Sequence, residues 1–79
     1  MMSGPVSLAT LAPGTVAVLQ RVLDADSGAV LRSLGLTAGA RFRVCQLGDP
    51  YIIQVRSTRI GISKEVAGSV LVSVCGAPV

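Results

Sequence analysis

The sequence predicts a mainly β fold, a small partly open barrel of about five short strands with one short inserted α-helix. Three observations lead there. Apolar residues recur in short runs, most of them alternating at period two, over Thr15–Val22, Arg41–Leu47, Tyr51–Arg56, Arg59–Ser63 and Ser69–Val74. Turn-forming clusters separate the runs: Pro13-Gly14, Thr37-Ala38-Gly39 and Leu47-Gly48-Asp49-Pro50. The period changes once, between Asp24 and Leu36, where Val30, Leu31 and Leu34 fall on one face of a helix.

The chain has 79 residues, enough for a single domain. We expect a tail over 1–6, the domain over 7–75 and a short tail over 76–79. Hydrophobic residues make up 51% and charged residues 14%, which excludes disorder driven by charge. The core must be aliphatic, because Phe42 and Tyr51 are the only aromatics.

Taken in order, Ser7–Leu11 forms one helical turn, with the Ser7 hydroxyl capping its free N–H groups. Pro13-Gly14 stops it, and Gly14 makes the turn. Thr15–Val22 is apolar on both faces, so this strand is central or covered on both sides. The helix spans Asp26–Leu34, with Asp26 or Ser27 accepting from its first turn. Gly35 ends it at positive φ, and Leu36 folds back on the last turn. Gly39 bends the chain into Arg41–Leu47, where Phe42 and Val44 face in while Arg41, Arg43 and Cys45 face out.

Gly48, Asp49 and Pro50 form the next turn. Tyr51, Ile53 and Val55 share the inner face of the third strand. Ser57-Thr58 is the shortest link to Arg59–Ser63, though a two-residue hairpin favours Asn-Gly or Gly-X, so a looser link is also open. Ile60 and Ile62 then face in. Lys64–Gly68 makes a short helical turn capped by Ser63, and Ser69–Val74 is the last strand.

Most enzyme classes fail on inventory. General acid–base catalysis draws mainly on His, Asp, Glu, Lys, Tyr and Cys, and the chain has no histidine and four acids. Asp24 and Asp26 sit at a helix start, where carboxylates cap the free N–H groups and meet the helix dipole. Asp49 belongs to a turn and Glu65 to the first turn of a short helix. No glycine-rich phosphate loop followed by Lys-Ser/Thr is present. Cys45 and Cys75 are the only soft metal ligands, and two sulfurs without histidine make a poor zinc or iron site. We read them as incidental thiols; the alternative, a disulfide or metal shared between subunits, would make a homo-oligomer.

The net charge of +3 is a weak signal. Arg41 and Arg43 share an outward face, and Arg56 and Arg59 flank a turn, yet no aromatics are interleaved for base stacking. Nucleic acid is therefore not the expected partner. No run of about 18 apolar residues occurs, and the first residues lack the basic leader of a signal peptide. We expect a cytoplasmic protein with reduced thiols.

The order of these elements resembles the ferrous iron transport protein A (FeoA) family of SH3-like barrels. The resemblance runs from Ser7 to Val72. SLATLAPGTVAVLQRV is similar to the family's opening turn and first strand, LRSLGLTAGARFRV to its helix, stop and second strand, and LGDPYIIQVRSTRIGISKEVAGSVLV to its turn, hairpin and closing strand. The resemblance implies a non-enzymatic accessory protein of a family associated with transition metals; the lack of histidine in this chain gives that association no local support, and no cofactor is expected. Its implied partner is the cytosolic part of FeoB, the membrane GTPase and permease of bacterial ferrous iron uptake. The chain would then be peripheral to the membrane through that partner only. A second reading is a free-standing SH3-like module that binds transition metal or nucleic acid. For the partner contact we expect Leu31, Leu34 and Leu36 to line a groove beside the barrel, with Arg41, Arg43, Arg56 and Arg59 orienting the partner.

Overall fold

The computed structural model describes residues 4–76. Its elements are β1 (Val6–Ser7), a 3-10 turn (Leu8–Thr10), β2 (Val16–Val22), α1 (Ala25–Ser33), β3 (Arg41–Gln46), β4 (Tyr51–Val55), β5 (Thr58–Ile62), α2 (Lys64–Gly68) and β6 (Val70–Gly76). All pairings are antiparallel, in the order β1-β6-β2-β3-β4-β5. The five expected strands are present. A sixth, the two-residue β1, adds to the edge of β6 through Val6 and Val72. Of the tails expected at 1–6 and 76–79, residues 1–3 and 77–79 lie outside the described set, and Val6 and Gly76 belong to strands.

The strands carry the alternation that the sequence required. In β3, Phe42 and Val44 are buried, Arg41 and Arg43 are exposed, and Cys45, expected to face out, is half-buried. In β4 and β5, Tyr51, Ile53, Ile60 and Ile62 all point to the core. β2 lies between β3 and β6, as its two-sided apolar pattern demanded. Register shifts at Val16/Ala17, Leu19/Arg21 and Val44/Gln46 mark irregularities of the kind that bend and twist strands. The sheet edges β1 and β5 do not pair with each other, so the barrel stays open.

The gap is bridged by side chains and short helices. Tyr51 Oη donates to the Ala9 carbonyl at 3.4 Å, tying β4 to the 3-10 turn. Ser7 accepts from the Ala9 amide, and its hydroxyl lies within hydrogen-bond reach of the Ala67 and Gly68 carbonyls at the end of α2. At the start of α2, Ser63 Oγ accepts from the Val66 amide, and Asp49 Oδ1 accepts from the Lys64 amide. Leu8, Leu11, Leu19, Leu31, Leu36 and the inward strand residues close over one aliphatic core. Each large side chain buried there contributes about 1.5–3 kcal/mol relative to exposure.

Helix α1 departs from expectation in its buried face. Of the candidate caps Asp24, Asp26 and Ser27 it uses Asp24, whose Oδ2 accepts from the Ser27 amide at 2.9 Å and the Ser27 hydroxyl at 2.8 Å. The stop matches the expectation. Gly35 sits at φ 91°, its amide bonds to the Arg32 carbonyl, and the Leu36 amide reaches back to the Leu31 carbonyl at 2.8 Å. The inner face is narrower than the spacing suggested: Leu31 is buried, while Val30 and Leu34 are 54% and 46% exposed.

The β4–β5 hairpin is also shifted. Val55 pairs with Thr58, so the two-residue link is Arg56-Ser57 and not Ser57-Thr58. Arg56 occupies the left-handed region at φ 58°, the only non-glycine residue to do so among those described. The Gln54 side-chain amide donates to the Arg56 carbonyl at 2.9 Å and holds the turn.

Candidate partner-binding surface

The three candidate leucines do not form one groove. Leu31 and Leu36 are 1% and 3% exposed and belong to the core. Packing consumes them, so neither is free for a partner. Leu34, the last residue before Gly35, remains on the surface.

The arginines fare differently. Arg41, Arg43, Arg56 and Arg59 are all exposed. Strand register sets Arg43 opposite Gln54, and Gln54 opposite Arg59, so the three residues share the outer face across β3, β4 and β5. Tertiary folding brings the Leu34–Ala40 loop, β3 and the β4–β5 turn around one open depression of about 1170 Å³. Leu34, Arg41, Arg43 and Arg56 line it together, with Val55 and Ile60 among the apolar lining. Arg59 does not line it.

The charge in this depression is one-sided. None of Asp24, Asp26, Asp49 and Glu65 lines it. Asp24 caps α1, and Asp49 accepts from the Lys64 amide at the start of α2. The carboxyl of Asp24 is held below its ordinary pKa by the amide and then the hydroxyl of Ser27, both of which favour its charged form. The depression thus carries cationic charge of one sign, with Val55, Ile60 and Phe42 among its apolar lining and Gln54 and Thr58 among its polar lining. Sequence reasoning named Arg41, Arg43 and Arg56 but missed the Thr37–Ala40 loop that forms the facing wall.

Cys45 is half-buried and Cys75 exposed, and both are free thiols. Among the described residues, no three or more of His, Cys, Asp and Glu gather closely enough to hold a metal ion. No described helix is long and apolar enough to cross a membrane.

The FeoA domain model matches residues 6–74 of this chain. The chain belongs to the FeoA family. The family is one associated with ferrous iron transport, and the SH3-like architecture fits the observed open sheet. A crystal structure of the iron uptake regulatory protein FeoA is 32% identical, with a TM-score of 0.81 over 95% of this chain and 100% of that one. The FeoA of Stenotrophomonas maltophilia, a prokaryotic SH3 domain protein crystallised in complex with zinc, is 29% identical with a TM-score of 0.75, covering 86% of this chain and 89% of that one. The IdeR protein of T. acidophilum matches 95% of this chain with 36% of its own length, at 22% identity and a TM-score of 0.84. That last likeness concerns the fold alone. Comparison with curated proteins finds no match.

Proposed function

We propose that this FeoA-family chain is a non-enzymatic, cytoplasmic accessory protein of bacterial ferrous iron uptake, acting by contact with the cytosolic part of FeoB. It reaches the membrane only through that partner. The observation that carries the reading is the family match over residues 6–74, nearly the whole described domain. The arginine-rimmed depression supports it by offering a surface with a clear charge preference. Ferrous iron is the partner's cargo in this reading, because the described residues of this chain offer it no ligand cluster.

A regulatory module binding metal or nucleic acid has less support. The ligand inventory is poor, and both aromatics are in the core. The test is retention of the FeoB cytosolic domain by the purified chain at low and physiological salt. We expect retention at both, weakened by Arg41→Glu combined with Arg43→Glu while the fold stays intact. Electrostatic contacts chiefly set association rate and partner choice, so the loss should be steeper at low salt. Normal ferrous iron uptake after gene deletion, under iron limitation, would count heavily against the reading.

A further inference from the structure

The depression between the Leu34–Ala40 loop and the β4–β5 turn carries charge of one sign. Its charged side chains are Arg41, Arg43 and Arg56. A guanidinium is planar and presents paired N–H donors that match a carboxylate, whereas an ammonium is a point charge. Among the described residues, no Asp or Glu lines the depression to satisfy those donors.

Arg56 adds an independent observation. It occupies a left-handed turn position at φ 58°, where glycine carries no steric penalty and a side chain costs about 1–2 kcal/mol. Backbone strain of this sort is found where a side chain is needed in one place. Here the turn sets Arg56 on the same rim as Arg41 and Arg43. Half-buried Val55 and exposed Leu34 supply the apolar contacts.

We infer that this depression takes a short acidic peptide segment of a partner protein, its carboxylates on Arg41, Arg43 and Arg56 and an aliphatic side chain against Leu34 and Val55. The inference rests on the accessory reading for which surface is used, and adds the chemistry of the occupant. A nucleic-acid strand would also meet the charge, but it wants exposed aromatic faces for its bases. Phe42 lies in the lining but is only 3% exposed, and Tyr51 is 7% exposed, so neither ring presents a free face for stacking.

The experiment titrates the full chain with four labelled probes: a synthetic Glu- and Leu-rich peptide, its Gln-for-Glu copy, its Lys-for-Glu copy and a single-stranded oligodeoxynucleotide. Anisotropy at two salt concentrations gives affinity, and amide chemical shifts locate the site. The Glu peptide alone should bind, more weakly at high salt, with shifts confined to 34–43 and 54–58. Arg43→Glu should weaken it by about tenfold, and Arg56→Gly, which removes the side chain while easing the backbone, by about threefold to tenfold. Equal binding of the Gln copy, tighter binding of the oligonucleotide, shifts elsewhere or no binding overturns the inference. Retention of the FeoB domain without peptide binding sinks the acidic occupant alone. Peptide binding without retention of that domain sinks the accessory reading alone.

Discussion

The Leu36 amide donates to the Leu31 carbonyl at 2.8 Å, and both side chains lie in the core while Leu34 between them does not. This one clasp ends α1, anchors it to the barrel and leaves Leu34 at the lip of the arginine-lined depression. The same short reversal therefore separates structural leucines from the surface one.

Leucine truncations should divide accordingly. Leu31→Ala is expected to cost about 2–5 kcal/mol, enough to unfold much of so small a domain. Leu34→Ala should change stability by less than about 1 kcal/mol, since its side chain is half exposed, yet weaken partner binding. Denaturant melts beside the pull-down would check both. A Leu34→Ala protein that unfolds, or one that binds at full strength, would contradict the assignment.

The β4–β5 turn makes a prediction that runs against ordinary expectation. Arg56→Gly should leave the domain as stable as the parent or more so, because relief of the left-handed strain offsets glycine's greater unfolded entropy. Arg56→Val should destabilise it by about 1–2 kcal/mol, as a β-branched residue fits that backbone worst. Thermal melts of the pair would decide it; a Val variant as stable as the Gly variant would show that Arg56 is not strained.

Asp24 gives a pH dependence with a definite sign. Its folded pKa is depressed below the ordinary value of 3.8 by the Ser27 amide and hydroxyl. Its contribution to stability is therefore fully present above that ordinary value and is lost as pH falls through the lower folded one. Asp24→Ala should lower Tm at neutral pH, and the gap to the parent should narrow in acid. Asp24→Asn keeps a capping oxygen and should behave more like the parent at neutral pH. A gap that widened in acid would mean that the folded protein favours the protonated carboxyl instead.

Metal should not stabilise the free chain. A ligand that binds only the folded state raises Tm with its concentration, and no described cluster of His, Cys, Asp and Glu can hold an ion. We expect Tm to be the same with a chelator, with zinc or with ferrous iron under anaerobic conditions. A rise of several degrees with either metal would reveal a site formed otherwise.

The strand pattern was legible because alternation at period two is a local signal, and Phe42, Val44, Ile60 and Ile62 all obeyed it. Rotation of α1 was less legible. Val30, Leu31 and Leu34 share a side by spacing, but a nine-residue helix whose buried residues are Gly28 and Leu31 has room for little else against the barrel. Asp24, Asp26 and Ser27 are competing acceptors in series, and only the end of β2 at Val22 selects the first. In the hairpin, a Ser57-Thr58 link would keep the same residues facing in, so hydrophobicity cannot choose the register. It would, however, set Arg56 directly opposite Arg59, and like charges in that position destabilise a sheet. The observed pairing sets Val55 against Thr58 and Gln54 against Arg59 instead. Arg41, Arg43 and Arg56 could be grouped from the sequence as one partner contact, but the wall that faces them was not legible, because it depends on the Thr37–Ala40 loop meeting a turn far along the chain.

The hydrogen bond from Tyr51 to the Ala9 carbonyl turns the aromatic poverty of this chain into an experimental convenience. With no tryptophan and a single tyrosine, near-ultraviolet emission comes chiefly from the seam where β4 meets the 3-10 turn. The protein thus carries one built-in optical reporter, placed where the barrel opens. A tryptophan introduced on the lip of the depression would emit at longer wavelength and take up excitation from Tyr51, so transfer between the two would report how far the seam lies from the lip.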